Sequence, residues 1–155
     1  MIHAWIDGGA RGNPGPAGYG VHIEDAGGAV LAELHGALGI ATNNVAEYNG
    51  LLAALQWAID HGYGEVHVRA DSELLVKQMR GEYKIKHDGL KPLAARARLL
   101  MTELNEVVFE HVRREQNKNA DRLSNLGMDE ATAALKARRS LDGRGSDATA
   151  VKRST

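Results

Sequence analysis

The order of two side-chain periodicities limits the folds open to this chain. Apolar and polar residues alternate in three early segments, at 2–7, 19–25 and 29–37, which predicts three strands. A hairpin signal at 25–28 joins the second strand to the third, so the chain opens with an antiparallel meander. From Asn44 the apolar residues recur at helical spacing instead, and a helix therefore follows the meander.

The remainder of the chain alternates between helices and strands. A strand that runs directly into a helix, after an earlier helix, is typical of parallel strands joined by a crossover. The predicted elements are a helix from Asn44 to the glycines at 62 and 64, a strand at 65–71, helices at 72–81 and from Pro92, a strand at 107–112 and a helix at 117–135. This order predicts an α/β fold with a mixed five-stranded sheet, three antiparallel strands followed by parallel strands, flanked by helices.

Length and composition fit one globular domain. At 155 residues and 43% apolar composition the chain can bury one sizeable core, and the lack of cysteine excludes disulfides and thiolate chemistry. The sequence has neither a signal-peptide pattern nor a run of about eighteen apolar residues. We therefore expect a cytoplasmic protein with no membrane partner, which acts as a monomer without a required protein partner.

The last twenty residues differ in composition from the rest of the chain. They have almost no large apolar side chains, and so few groups cannot offset the conformational entropy that folding removes. The sequence therefore predicts a folded domain over 1–135 and a flexible polar tail or linker over 136–155.

Charge is distributed unevenly, although the net charge is only -1, which argues against a protein held to phosphate by bulk positive charge. Residues 1–60 contain six acids and one basic residue, Arg11, whereas residues 77–98 contain seven basic residues and two acids. Two interpretations stay open. The basic residues form solvated helix faces, or they follow a phosphate backbone while the acidic region holds cations. Charge alone favours the first.

Four acids stand at the edges of different predicted elements. Asp7 precedes a glycine-rich turn that it can cap, and Glu47 completes a capping box begun by Asn44. Asp71 and Asp121 occur where helices begin, as an N-cap or as a favourable charge at the positive end of the helix dipole. Each acid therefore has an ordinary structural explanation when it is considered alone.

Taken together, the four acids predict a cation site. Asp7 and Asp71 end strands that we place side by side in the sheet, and ligands bind beyond the carboxyl ends of such strands. Carboxylates that converge repel one another and are costly to desolvate unless a cation joins them. Oxygen ligands without histidine or cysteine suit magnesium or manganese and fit zinc poorly.

Four sequence blocks that contain these acids resemble those of ribonuclease H of type 1. The first block is DGGARGNPGPAGYG at 7–20, the second is TNNVAE at 42–47, the third is DS at 71–72 and the fourth is NADRL at 119–123. All four occur in the family's order, and the similarity covers residues 1 to about 128. The resemblance implies a ribonuclease H-like fold.

The resemblance implies an endonuclease that hydrolyses the RNA strand of an RNA/DNA hybrid and leaves 5'-phosphate and 3'-hydroxyl ends. It also implies two Mg²⁺ ions, for which Mn²⁺ can substitute, held by the four acids as catalytic residues. By analogy, Asp7 would bridge the two ions and Asp121 would help to hold the ion that activates water. Glu47 and Asp71 would hold the ion beside the leaving oxygen.

The resemblance further indicates substrate-binding residues, which are Gly12, Asn13, Thr42, Asn43 and Asn44. Amide side chains donate and accept hydrogen bonds without charge, which suits recognition of the RNA 2'-hydroxyl. Family similarity places Asn13 and Asn43 near RNA hydroxyls and Thr42 near a DNA phosphate. Turn formation and helix capping remain the alternative for the asparagines.

Two departures from the family pattern affect this interpretation. Many relatives carry a histidine in a longer loop before the last aspartate, whereas the loop at 113–118 is short and lacks one, as in archaeal and some bacterial members. His111 is nearest, but its place in a predicted strand favours a structural role, and Glu115 is a candidate replacement. The segment 82–91 is shorter and less basic than the hybrid-binding protrusion of some relatives, and basic residues of 136–155 are candidates to compensate.

Two other functions stay open. One is a catalytically silent hybrid-binding module, since related folds serve as scaffolds, but a pure binder has no need of four mutually repelling carboxylates. The other is a different metal-dependent enzyme with the same sheet, such as an exonuclease or a strand-transfer enzyme. Such enzymes usually lack the turn at 12–16, and strand transfer generally needs additional DNA-binding domains.

Overall fold

The computed structural model describes residues 1–145, which form five strands, four α-helices and one short 3-10 helix. The strands are β1 (Ile2–Ala10), β2 (Gly15–Glu24), β3 (Val30–Ala41), β4 (Glu65–Ala70) and β5 (Glu106–His111). The helices are α1 (Asn43–Asp60), α2 (Glu73–Met79), α3 (Lys91–Met101), the 3-10 helix (Arg114–Gln116) and α4 (Lys118–Gly145). The predicted α/β class with a mixed five-stranded sheet is confirmed.

The sheet has the strand order β3-β2-β1-β4-β5. β1 pairs antiparallel with β2, and β2 pairs antiparallel with β3, as the meander predicts. β4 pairs parallel with β1, and β5 pairs parallel with β4. The carboxyl ends of the three parallel strands therefore meet at one edge of the sheet, where ligands bind in sheets of this kind.

β1 does not end at Asp7, as the sequence predicted, but continues to Ala10. Its parallel pairing with β4 stops at Ile6, opposite Ala70, while the antiparallel pairing with β2 continues until Ala10 faces Ala17. The glycines after Asp7 remain extended because β2 still pairs with them. Asp7 is thus the first residue of β1 beyond its pairing with β4.

One face of the sheet and the helices α1, α2 and α3 enclose the hydrophobic core. α1 lies along β1 and buries an apolar stripe at helical spacing, which includes Leu51, Leu55 and Ala58. The strand residues Ile6 and Val68 belong to the same buried cluster. Burial of apolar side chains is the dominant favourable contribution to folding, so these contacts fix α1 on the sheet.

α4 packs on the opposite face of the sheet, over β2 and β3, and its backbone lies in direct contact with the backbones of these strands. A methyl group on Gly18 would overlap with the α4 backbone at Gly127, and a methyl group on Gly127 would overlap with the Gly36 carbonyl oxygen. The residues where α4 meets the strands are glycines, which have no side chain, so the backbones of the helix and the strands touch directly.

α4 extends ten residues beyond the domain boundary that the sequence predicted at residue 135. Residues 136–145 of the predicted tail are helical, and residues 146–155 lie outside the described residues. Ala137, Arg138 and Leu141 favour a helix by intrinsic propensity, although their side chains are exposed. In the part of the chain that the structure describes, α4 and the other helices are too short or too polar to cross a membrane.

Gly127→Ala separates helix propensity from packing. Alanine is favoured over glycine in a helix by about 1 kcal/mol, so an exposed helical site would gain stability. At Gly127 we expect a loss of about 1–3 kcal/mol in the free energy of unfolding, because α4 must move away from β3. Urea unfolding measures the change.

Gly27→Ala, in the turn between β2 and β3, is the control for a glycine-to-alanine change without backbone overlap, since the closest group to its added methyl is the Asp25 carboxylate at 3.5 Å. A Gly127→Ala protein as stable as the parent, or more stable, would contradict the direct backbone contact.

Candidate active site

Four acids from different parts of the fold line one open cavity of about 770 Å³ at the carboxyl edge of the parallel strands. Asp7 belongs to β1, Glu47 to α1 and Asp121 to α4. Asp71 follows the last residue of β4. The structure therefore brings together all four acids that the sequence indicated.

Two glycines bring α1 and α4 close to Asp7. A methyl group on Gly8 would overlap with the α1 backbone at Glu47, so the beginning of α1 lies directly on β1. Gly20 faces Asp7 across the ladder between β1 and β2, and a methyl group there would overlap with the α4 backbone at Ser124. The positions of both helices relative to Asp7 thus depend on glycine.

Glu47 does not have the capping role that its spacing from Asn44 suggested. α1 begins one residue earlier than predicted, and Thr42 caps it by accepting a hydrogen bond from the Val45 N–H at 3.2 Å. The capping-box interpretation of Asn44 and Glu47 is therefore wrong. The Glu47 side chain lines the cavity instead.

Asp71 and Asp121 are positioned by the starts of α2 and α4. Ser72 caps α2, since its hydroxyl accepts a hydrogen bond from the Leu75 N–H at 3.2 Å, so Asp71 is not the N-cap. Asp121 lies in the first turn of α4, where its N–H donates to the Asn117 carbonyl at 3.0 Å. Both acids line the cavity.

Burial and repulsion disfavour ionised carboxylates in the cavity. Burial, together with the charges of Asp71 and Asp121, raises the pKa of Asp7 to about 7, although a hydrogen bond from Ser124 opposes the shift. Burial, together with the charge of Asp71, also raises the pKa of Glu47 to about 7. A cation in the cavity would offset both effects.

The donor chemistry of the four acids fits a hard divalent cation, because carboxylate oxygens are the ligands that Mg²⁺ and Mn²⁺ prefer. Among residues 1–145, no three acidic or histidine side chains are drawn together closely enough to form a complete metal site by themselves. The carboxylates line the walls of an open cavity, which is the arrangement that repulsion between like charges favours. The acids therefore fit a cation in ligand type and in charge.

Asn43 and Asn44 are the residues of the predicted substrate-binding set that line the cavity. Asn43 Oδ1 accepts a hydrogen bond from the Ala10 N–H at 2.7 Å, and Asn13 Oδ1 accepts one from the Asn43 N–H at 3.0 Å. Gly12 has a positive φ of 88° in the turn between β1 and β2. The two amide carbonyls thus join this turn to the start of α1.

The cavity also contains side chains whose position there was not predicted from the sequence. His111, expected inside a strand with a structural role, is exposed at the end of β5 and lines the cavity. Ser124, which the sequence did not indicate, donates its hydroxyl to Asp7 Oδ2 at 3.0 Å. Glu115 lies on the cavity wall in the 3-10 helix. The carboxyl end of β5 and the three-residue spacing of Ser124 from Asp121 were the available signals.

Several known proteins are similar in sequence to this chain. A family model described as reverse transcriptase-like matches residues 6–127. A bifunctional protein of Mycobacterium tuberculosis is 48% identical over 132 residues, which are 84% of this chain and 36% of that protein. The chain thus spans little more than a third of this relative's length.

Two solved structures have the same fold. The match to ribonuclease H1 of the halophilic archaeon Halobacterium salinarum has a TM-score of 0.80 and 40% identity, and covers 83% of this chain and 98% of that one. The match to LC11-RNase H1 from compost, in complex with an RNA/DNA hybrid, has a TM-score of 0.81 and 45% identity. It covers 85% of this chain and 99% of that one.

A mixed sheet with acids gathered where its parallel strands end is the arrangement of ribonuclease H-like α/β domains. The matching model and the similar structures agree with it, and the chain belongs to the ribonuclease H family. Six residues, 112–117, connect β5 to α4, and eleven residues, 80–90, connect α2 to α3.

Asp7→Asn is expected to stabilise the protein in the presence of EDTA at neutral and alkaline pH. The folded-state pKa of Asp7 is about 7, above the ordinary value of 3.8, so the folded state retains a proton that the unfolded state has released. The stability of the parent therefore falls as pH rises from about 4 to about 7. We expect the variant to gain about 1–3 kcal/mol above pH 7 and almost nothing at pH 4.

Thermal unfolding across this pH range measures the difference, and saturating Mg²⁺ provides the control. The variant should lose its advantage in Mg²⁺, because the cation offsets the repulsion in the parent and has lost a ligand in the variant. A variant less stable than the parent in EDTA at pH 8 would contradict the charge conflict.

Proposed function

We propose that this protein is an endonuclease that hydrolyses the RNA strand of RNA/DNA hybrids. The observation that carries the proposal is the convergence of Asp7, Glu47, Asp71 and Asp121 on one cavity in a member of the ribonuclease H family. The similarity to LC11-RNase H1, whose structure contains an RNA/DNA hybrid, supports the choice of substrate.

Two Mg²⁺ ions, or Mn²⁺ in their place, are the cofactors that we propose. Asp7 with Asp121 would hold one ion, and Asp7 with Glu47 and Asp71 would hold the other. When bound, such ions stabilise the negative charge that develops on the entering and departing oxygens. In the reaction the oxygen of water bonds to phosphorus and the water gives up a proton. The bond between phosphorus and the 3' oxygen breaks, and the 3' oxygen takes up a proton, which leaves 3'-hydroxyl and 5'-phosphate ends.

The side chains next to the acids choose the substrate. Asn43 and Asn44 line the cavity, and Asn13 Oδ1 accepts a hydrogen bond from the Asn43 N–H, which supports a role for the three amides in binding the ribose 2'-hydroxyls. Thr42 precedes them and would contact a phosphate of the DNA strand, while Gly12 shapes the turn. The hybrid is the partner that we propose, and the protein acts on it as a monomer.

The electrostatics of the cavity argue against a silent binding module. Burial and like charges raise the pKa values of Asp7 and Glu47 to about 7, and this destabilises a fold that holds them ionised. Simple attachment to a polyanion would be weakened by such a concentration of acids. Catalysis supplies a reason for their retention, because ions bound there act on the scissile phosphate.

A cleavage assay tests the proposed activity. Labelled RNA/DNA hybrid, duplex RNA, duplex DNA and single-stranded RNA are each incubated with Mg²⁺, Mn²⁺ or EDTA. We expect cleavage of the RNA strand of the hybrid with either cation and none in EDTA. Asp7→Asn should lower kcat by about 100-fold or more, since it weakens cation binding at the reacting phosphate.

Asp60→Asn is the matched control, because Asp60 ends α1 far from the cavity and accepts a hydrogen bond from Gln56 at 2.8 Å. A chain ending at Leu135 is expected to keep kcat, since we propose residues 1–135 as the catalytic unit. Turnover unchanged in Asp7→Asn, or hybrid cleavage that persists in EDTA, would refute the proposed function.

Glu115 and His111 compete for the role of the loop histidine found in many relatives. Both are exposed and line the cavity. We propose Glu115, because it lies in the short connection before α4, whereas His111 is fixed by pairing of β5 with β4. Glu115→Gln should lower kcat about tenfold or more without a change in KM, and His111→Gln should lower it less. The reverse order of the two effects would assign the role to His111.

A further inference from the structure

Two buried polar residues join the start of α4 to β1. Asn117 is 1% exposed, and its side-chain Nδ2 donates to the Ile6 main-chain carbonyl at 2.9 Å. The main-chain carbonyl of Asn117 accepts a hydrogen bond from the Asp121 N–H at 3.0 Å. Ser124, also 1% exposed, lies with its hydroxyl 3.0 Å from Asp7 Oδ2 and 2.9 Å from the Asp121 carbonyl oxygen. Each residue thus connects the strand of one acid to the helix of the other.

We propose that Asn117 and Ser124 are positioning residues, which hold Asp7 and Asp121 in the relative placement that a shared divalent cation requires. This inference rests on the proposed function. Asn117 is four residues before Asp121 and binds the residue that precedes Asp7. Ser124 is three residues after Asp121 and binds the Asp7 carboxylate itself. The two contacts therefore lie on either side of Asp121 in the sequence, and on β1 they reach Asp7 and the residue before it; we call them the α4–β1 clamp.

The Asn117 side chain makes a hydrogen bond only through its donor. Its Oδ1 atom is buried without a hydrogen-bond partner among the residues that the structure describes, which opposes folding. Its Nδ2 group gives the Ile6 carbonyl oxygen a donor that an apolar side chain would not supply. The amide therefore acts through its donor, which fixes the main chain of β1 beside Asp7.

The position of the Ser124 hydroxyl follows from the backbone. A methyl group on Gly20 would overlap with the backbone nitrogen of Ser124, so α4 is in direct contact with β2 at this residue. Gly20 is also the residue that pairs with Asp7. The hydroxyl is thus held beside the Asp7 carboxylate by contacts between main chains, and it restricts rotation of that carboxylate.

Restricted carboxylates bind a cation more tightly, because less conformational freedom is lost on binding. Groups that orient metal ligands through hydrogen bonds typically change metal affinity by about tenfold or more when they are removed. The clamp should therefore act on cation affinity and leave the affinity for nucleic acid unchanged.

Ser124→Ala tests the clamp with little change in side-chain volume. Calorimetric titration with Mg²⁺ alone, without nucleic acid, should give a Kd about tenfold higher than that of the parent. In hybrid cleavage, kcat should fall at low Mg²⁺ and recover as Mg²⁺ is raised, while KM for the hybrid stays unchanged. Loss of packing alone would not be restored by Mg²⁺.

Thr132→Ala is the matched control, since Thr132 lies on the same helix and its hydroxyl donates to the Met128 carbonyl at 2.8 Å. We expect its Mg²⁺ Kd to equal that of the parent. Asn117→Ser is the second test variant, and the increase in Tm on addition of Mg²⁺ is its readout, which we expect to be smaller than in the parent.

An unchanged Mg²⁺ Kd in Ser124→Ala, or an equal change in Thr132→Ala, would overturn the clamp. Failure of the proposed function has a different signature, because the parent would then bind Mg²⁺ without cleaving the hybrid. The Kd ratio between the parent and Ser124→Ala would still decide whether the clamp positions the acids for a cation.

Discussion

The site depends on the direct approach of two helix backbones to the strand that carries Asp7. Gly8 allows the backbone of α1 to approach β1, and Gly20 allows the backbone of α4 to approach β2. A methyl group at either position would overlap with a helix backbone. A helix displaced in this way would carry Glu47 or Asp121 away from the cavity. Gly8 and Gly20 lie in extended strands, so their contribution is the space left by the absent side chain and not backbone flexibility.

The contacts that assemble the site also create a local conflict of charge. Burial and like charges raise the pKa values of Asp7 and Glu47 to about 7, so the acids oppose their own convergence. The buried apolar cluster to which Leu51 and Leu55 of α1 belong stabilises the fold against this repulsion. Local conflicts that a consistent fold tolerates are expected at functional sites.

Features with local signals could be predicted from the sequence. Alternation and helical spacing predicted the elements, and the parallel strands that end near Asp7 and Asp71 predicted their convergence. Features that depend on a distant element could not be predicted. Whether β1 continues past Asp7 depends on pairing with β2, and the need for Gly20 depends on where α4 crosses the sheet. His111 lies in β5 as predicted, but its contact with the cavity could not be predicted, because it depends on β5 ending at that residue, one residue earlier than the alternation suggested.

Anomalous diffraction from crystals of the protein grown with Mn²⁺ would show whether the acids hold cations together. We expect anomalous peaks inside the cavity, with the Asp7 carboxylate as a ligand and at least one of Glu47, Asp71 and Asp121 beside it. Crystals in which Mn²⁺ binds elsewhere, or in which Asp7 contacts no ion while the cavity is open to solvent, would contradict this explanation of the site.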